Sequence, residues 1–162
     1  MELDIINVGN YEKTIEQLQK IKEKNYGNLN VRINNLHVKD INSLIRKNIF
    51  SKNDAYISAE TLWEITQPVG ENKHHHSHDL SIDCVFKTLN SINKPFCVLK
   101  SRLNRFAIIS SFEENNLRLL TIVEINVPIL LKRLTKINKI ITIYPKDNID
   151  NYLKGKTILY IK

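Results

Sequence analysis

Cysteine, glycine and proline are all scarce here, at two, four and four among 162 residues. Cys84 and Cys97 are too few for the disulfide framework of a small secreted domain. So little Gly and Pro excludes collagen-like, Gly-rich and Pro-rich low-complexity chains. The longest apolar runs extend only a few residues, short of the roughly 20 that a membrane helix needs, and no membrane association is expected. Met1 is followed by Glu2 and Asp4, not by a basic and then an apolar region, so no secretory signal peptide is expected. The P-loop, GxGxxG, GxSxG and HExxH patterns are missing, which removes the common nucleotide-binding and hydrolase signatures. No cofactor is expected. With 42% hydrophobic and 25% charged residues, a packed core is expected and global disorder is not. These features predict a soluble, single-domain protein of a reducing compartment.

Charge is abundant, and it is unevenly placed. Lys and Arg number 24 against 17 Asp and Glu, a net of +7. Ile, Asn and Lys supply 24, 20 and 18 residues, the bias that AT-rich codons produce. Codon drift alone would spread the charge evenly. Instead, residues 131–162 hold eight cations (Lys132, Arg133, Lys136, Lys139, Lys146, Lys154, Lys156, Lys162) against Asp147 and Asp150. Concentrated positive charge is what a polyanion-facing surface needs.

Periodicity divides the chain into helices first and strands afterwards. Ile15, Leu18 and Ile21 predict a helix over 11–24, broken by the Asn-rich stretch 25–30. Val31 and Ile33 alternate with polar residues as a short extended segment. Asp40 is a candidate N-cap for a helix to Lys47, with Ile41, Leu44 and Ile45 on one side. Residues 55–58 read as extended, Ser58 as a helix start, and 67–78 as a polar loop. Ser81 should cap a helix over 82–93 that carries Ile82, Val85, Phe86, Leu89 and Ile92, ended by Lys94-Pro95. Extended runs follow at 96–100, 105–112, 117–125, 140–145 and 157–162, with turns at Asn104 and at Glu113-Glu114-Asn115-Asn116. Residues 128–137 read as a short helix with Ile129, Leu130 and Leu134 inward. Asp147 should cap another around 148–153, stopped by Gly155. The order predicts an α+β domain with a mostly antiparallel sheet.

The tract His74-His75-His76-Ser77-His78 has three readings: a metal-binding tract, a solvated loop, or a loop that delivers one proton-transfer histidine. Consecutive histidines diverge, and Cys84 and Cys97 lack ligand-pair spacing, so no dedicated metal site is expected. His78, just ahead of the 82–93 helix, is the best-placed general acid or base, because imidazole titrates near neutrality. Cys84, Cys97 and Trp63 read as core residues. Lys100, Ser101, Arg102 and Arg105 gather at one hairpin, and Ser110 and Ser111 sit together in the next strand. Thr142, Tyr144 and Lys146 alternate along a later strand and so share a face. That face is either a solvated side of the sheet or an active surface. One histidine, several cations and a few hydroxyls suffice to cleave RNA through its 2′-hydroxyl.

Residues 55–162 resemble the phage-type members of the barnase–EndoU–colicin–RelE (BECR) nuclease superfamily, found in MuF-type phage head proteins and polymorphic toxins. The matching pieces are AYISAETLWEI (55–65), His78-Asp79-Leu80, SIDCVFKTLNSINKPFCVLKS (81–101), IITIYPKDN (140–148) and TILYIK (157–162). Thr142 stands where the family usually has Ser, and Trp63-Glu64-Ile65 where it is often polar. The resemblance implies helices packed on a four- to five-stranded, mostly antiparallel sheet over 51–162. Residues 1–50 form a helical N-terminal extension that the resemblance does not cover. The implied activity is metal-independent endoribonuclease cleavage to a cyclic phosphate, acting on RNA, tRNA included. His78, Tyr144, Thr142 and Ser110 would be catalytic, and Lys100, Arg102, Arg105 and Lys146 would hold phosphate. The implied setting is the cytoplasm of a bacterial host, phage-associated or delivered, with an immunity, phage or host protein as partner. Two rival readings are a non-catalytic nucleic-acid-binding module and a small phage inhibitor or interaction factor.

Overall fold

The computed structural model describes residues 2–7, 10–24, 30–34, 38–52, 55–68, 78–129 and 132–162. It is α+β, built on one eight-stranded sheet in the order β1-β2-β3-β7-β6-β5-β4-β8. The strands are β1 (Glu2–Asn7), β2 (Asn30–Asn34), β3 (Ala55–Ser58), β4 (Cys97–Arg102), β5 (Arg105–Glu114), β6 (Leu117–Ile129), β7 (Lys132–Lys146) and β8 (Thr157–Ile161). The helices are α1 (Tyr11–Lys24), α2 (Ile41–Ile45), α3 (Ala59–Ile65), α4 (Ile82–Asn90) and α5 (Ile149–Leu153). Antiparallel pairing dominates, but β1–β2 and β3–β7 are parallel, so the sheet is mixed and wider than the expected four to five strands. Residues 51–162 themselves supply six strands, and the first 50 residues, which are not simply helical, add β1 and β2. Among the described residues, no helix is long and apolar enough to cross a membrane.

Local chemistry sets most element ends. Ser58 and Ser81 cap α3 and α4, their hydroxyls accepting the amides of Thr61 and Cys84, each at 3.0 Å. Asn104, Asn115 and Asn116 take positive φ in the β4–β5 and β5–β6 turns, a conformation that Asn tolerates better than most residues. Gly155 turns the chain into β8 at φ +75°. Three expectations change. Asp40 lies in a 3-10 turn in right-handed helical conformation and makes no side-chain cap, and the helix after it stops at Ile45, short of Lys47, where Arg46 turns left-handed at φ +56°. Leu44 on that helix is 37% exposed, whereas Ile41 and Ile45 are buried. Asn148, not Asp147, caps α5, accepting the Asn151 amide at 3.3 Å.

The expected helix over 128–137 is strand instead. Val127 pairs with Ile137, Pro128 with Lys136 and Ile129 with Lys132. Leu130 lies outside the described residues. The cross-strand ladder overrides a pattern that periodicity alone reads either way. Pro128, which lacks a ladder donor, is tolerated where β6 has run past its β5 neighbour.

The main core lies between one sheet face and α1–α4. It joins Leu18 and Ile21 of α1, Val31 and Ile33 of β2, Ile41 and Phe50, Leu62, Val85 and Leu89 to Phe106, Leu119, Val123 and Ile143 of the central strands. The expected boundary near residue 50 therefore falls inside a continuous core. Asn42 fixes the approach to that boundary: its Oδ1 accepts the amides of Ile49 and Phe50, and its Nδ2 donates to Phe50 O at 2.8 Å. Phe50 then packs edge-on against Phe106, centroids 5.4 Å apart. Trp63, expected in the core, is only half-buried, because α3 turns Ala59, Leu62 and Ile65 inward and leaves Trp63 at the border. On the opposite face a smaller cluster (Cys97, Leu99, Ala107, Ile109, Leu120, Ile122) packs beneath Ile149, Tyr152 and Leu153 of α5.

Two outcomes are expected. A chain of residues 51–162 alone should lose cooperative thermal unfolding by circular dichroism, since it lacks Leu18, Ile21, Val31, Ile33, Ile41 and Phe50. Asn138, fully buried, accepts the Ser51 amide at 3.1 Å and donates to the Ser51 carbonyl at 2.9 Å. Asn138→Ala strands both backbone groups and should cost about 2–6 kcal/mol in urea denaturation, at 1–3 kcal/mol per unsatisfied buried group.

Candidate functional site

His78 reaches its position through the loop between α3 and α4. Asp79 adopts φ +53° and donates its amide to Gln67 O at 2.7 Å, and Leu80 donates to Ile65 O at 3.0 Å. These two bonds tie the loop to the end of α3, while the Ser81 cap ties it to the start of α4. His78 is consequently held through the three residues that follow it, each of which is anchored. His74, His75 and His76 lie outside the described residues.

The His78 ring meets the Tyr144 ring, centroids 5.5 Å apart and planes inclined by 39°. Tyr144 belongs to the stretch of β7 beyond Ile140, where the β3 pairing has ended. Burial, followed by the charge of and a hydrogen bond to Tyr152, pushes the Tyr144 phenol above its ordinary range. It is a neutral hydrogen-bond donor and a poor source of phenolate. His78 also borders a cavity of about 290 Å³ with Ser81, Cys84, Glu114, Asn115 and Pro145.

The register confirms that Thr142, Tyr144 and Lys146 share a face: they pair with Ile122, Leu120 and Arg118 in turn. Thr142 is buried, and its Oγ1 has no hydrogen-bond partner among the described residues. Lys146 lines a second cavity of about 270 Å³ with Arg118, Glu113, Asn148 and Asp150. Its ammonium stands 5.6 Å from the Tyr152 ring centre, so Tyr152 connects Tyr144 to Lys146. Arg118 lies over Phe96 at 4.1 Å, donates to Ser110 O at 3.0 Å and approaches Glu113 at 3.9 Å. Arg118 and Tyr152 escape a reading of the sequence, because only strand register and the fold-back of α5 bring them here.

The other expected site residues lie elsewhere. Ser110 is buried in the β5–β6 irregularity, donating to Phe112 O at 2.7 Å and accepting the Leu119 amide at 2.9 Å. Its hydroxyl is committed to backbone under α4, next to Thr88. Lys100, Arg102 and Arg105 sit at the β4–β5 hairpin end. Arg105 aligns through Glu124 with Lys139, five residues along β7 from Tyr144. At about 3.3 Å per residue, that separates the two groups by roughly 15 Å. The structure brings His78 and Tyr144 together, sets Lys146 nearby on Tyr144's face, and does not bring Lys100, Arg102, Arg105 or Ser110 to them.

Cys84 and Cys97 are buried as expected, and burial pushes both thiols up to about 11. Among the described residues, no three His, Cys, Asp or Glu side chains converge as a metal site would require. At pH 8 a thiol titrating near 11 is about one-thousandth thiolate, against roughly a quarter for an unperturbed one. Labelling of both cysteines by a disulfide reagent should therefore be at least about a hundredfold slower in the folded chain than in urea. It should rise roughly tenfold per pH unit between pH 7 and 9 while the fold persists.

Comparison with protein-family models, curated proteins and solved structures finds no match to this chain.

Proposed function

We propose that this chain is a metal-independent endoribonuclease that cleaves RNA, tRNA included, through attack of the 2′-hydroxyl to leave a cyclic phosphate. The observation that carries the reading is the His78–Tyr144 contact, a proton-transfer group against a phenol held neutral. His78 moves the proton at the 2′-hydroxyl or the leaving 5′-oxygen. Tyr144 donates a hydrogen bond to the phosphoryl oxygen, and Lys146 with Arg118 offsets the charge that develops there. The resemblance to BECR nucleases supports the same reading: α4 follows the histidine directly, and the β4–β5–β6–β7 meander carries the late Thr-x-Tyr-x-Lys strand. On that reading the protein is a phage or toxin-type enzyme of the bacterial cytoplasm, with an immunity, phage or host protein as its regulator.

A second reading, a nucleic-acid-binding module without catalysis, is favoured by the distance of the basic hairpin from His78. Incubation with total tRNA in EDTA separates the two. The nuclease yields fragments with cyclic phosphate ends. His78→Ala should slow their formation by about two to four orders of magnitude, and Tyr144→Phe by about a hundredfold. Intact tRNA at excess protein, together with salt-sensitive binding, would establish the module instead.

A further inference from the structure

A cavity of about 540 Å³, larger than the one beside His78, opens between Lys39, the loop 48–52 and Asn126 of β6. Asn126 lies six residues along β6 from Leu120, the partner of Tyr144, which is roughly 20 Å at about 3.3 Å per residue. The two cavities share no lining residue. Lys39 and Lys52 are exposed, and neither has an ion-pair partner among the described residues. No carboxylate lines this cavity among the described residues.

Its walls are held from behind. The Asn42 side chain accepts the amides of Ile49 and Phe50 at 3.0 and 2.8 Å, which only its oxygen can do. Its Nδ2 is therefore turned to Phe50 O at 2.8 Å and to Asn48 Oδ1 at 3.3 Å. With its oxygen taken, Asn48 keeps its own NH2 group, a donor, for a ligand. Asn138 clamps Ser51 through both backbone groups. On the facing wall, Asn126 takes φ +61° inside the irregularity between the Glu124–Lys139 and Val127–Ile137 pairs. A bulge of this kind takes a side chain out of the ladder and re-aims it. The Asn126 amide has no partner among the described residues.

We propose that this cavity binds a nucleoside monophosphate. Two ammonium groups and the Asn48 NH2 are all donors, which suits an oxyanion. A phosphate monoester carries about −1.5 to −2 at neutral pH and so balances both lysines, whereas a carboxylate or a phosphodiester balances one. The rest of the lining is the half-buried Ile49 and the free Asn126 amide. Those supply an apolar surface for the face of a base and a donor–acceptor pair for its edge. The volume falls within the roughly 300–1,000 Å³ of small-molecule clefts. Walls fixed by Asn42 and Asn138 lose little freedom on binding. This site owes nothing to the His78–Tyr144 chemistry and needs no cleavage.

The test is isothermal titration calorimetry of the full-length chain in EDTA with the four nucleoside 5′-monophosphates. At least one should bind at least about tenfold more tightly than its nucleoside, its 3′,5′-cyclic monophosphate and inorganic phosphate. Lys39→Gln and Lys52→Gln should each weaken it about tenfold, the share of one charge-assisted hydrogen bond. Asn48→Asp, nearly isosteric but acidic, should abolish it. The circular dichroism melting curves should stay as in the parent chain. His78→Ala and Lys146→Gln should leave the affinity unchanged. Binding of none of the four nucleotides would overturn the proposal, as would inorganic phosphate binding equally well. Nucleotide binding lost in His78→Ala or Lys146→Gln but kept in the Lys39 and Lys52 variants would also overturn it, in favour of the His78 end. Nucleotide bound as expected by a chain that leaves tRNA intact removes the nuclease and keeps this site. Cleavage of tRNA without nucleotide binding does the reverse.

Discussion

The pairing of β6 with β7 is the constraint on which the rest of the molecule depends. It is the longest ladder in the sheet, running from Arg118–Lys146 at one end to Ile129–Lys132 at the other, with bulges that keep it twisted. One bulge, between the Ile122–Thr142 and Val123–Ile140 pairs, sets which β7 side chains face the helices. Ile140 and Ile143 face the main core, whereas Thr142, Tyr144 and Lys146 face the other side. Slippage by one residue would bury Lys146 against the helices and expel Ile143, so the apolar core and the candidate site enforce the same register.

The two ends of this ladder carry different chemistry. At the β5–β6 turn end stand His78, Tyr144, Tyr152, Lys146 and Arg118, a small group of proton-transfer, hydrogen-bonding and cationic side chains half-withdrawn from water. At the hairpin end stand Arg102, Arg105 and Lys139, more open and more nearly unmixed in charge. Between them the apolar residues beneath α5 fill the same face. A low-dielectric setting strengthens the electrostatic interactions at the first end, whereas the second acts in solvent and is screened by salt.

The N-terminal 50 residues are structurally committed to this arrangement. β3 is only four residues long, and it joins β7 on one side and β2 on the other. α1 reaches α4 through the Tyr11 hydroxyl, which donates to Asp83 at 2.7 Å, and through the Tyr11–Phe86 edge contact. α4 in turn begins four residues after His78. Support for the candidate acid–base residue therefore extends back into the segment that the family resemblance leaves uncovered.

What the sequence determined by itself was local. Ser58 and Ser81 announce their helices because a hydroxyl before an apolar run can accept an orphan amide. The helical spacing of Leu18 with Ile21, and of Val85 with Leu89, fixes which faces are buried. Asn104 and the Asn115-Asn116 pair mark turns because Asn tolerates positive φ. The shared face of Thr142, Tyr144 and Lys146 followed from strand alternation and survives a bulge that lies just before them. What only the tertiary structure decided was non-local. Neither the parallel pairing of β1 with β2 nor that of β3 with β7 has a short-range signature, because the partners are far apart in sequence. Residues 128–137 carry an apolar pattern compatible with helix or strand, and long-range pairing made the choice. The same registers separate Lys100, Arg102 and Arg105 from His78, although the types of these residues suggested one site. They also deliver Arg118 and Tyr152, which nothing nearby in the chain would have nominated. Side-chain chemistry is written in the sequence, but distance between side chains is a property of strand order, and strand order is set by the burial of the whole core.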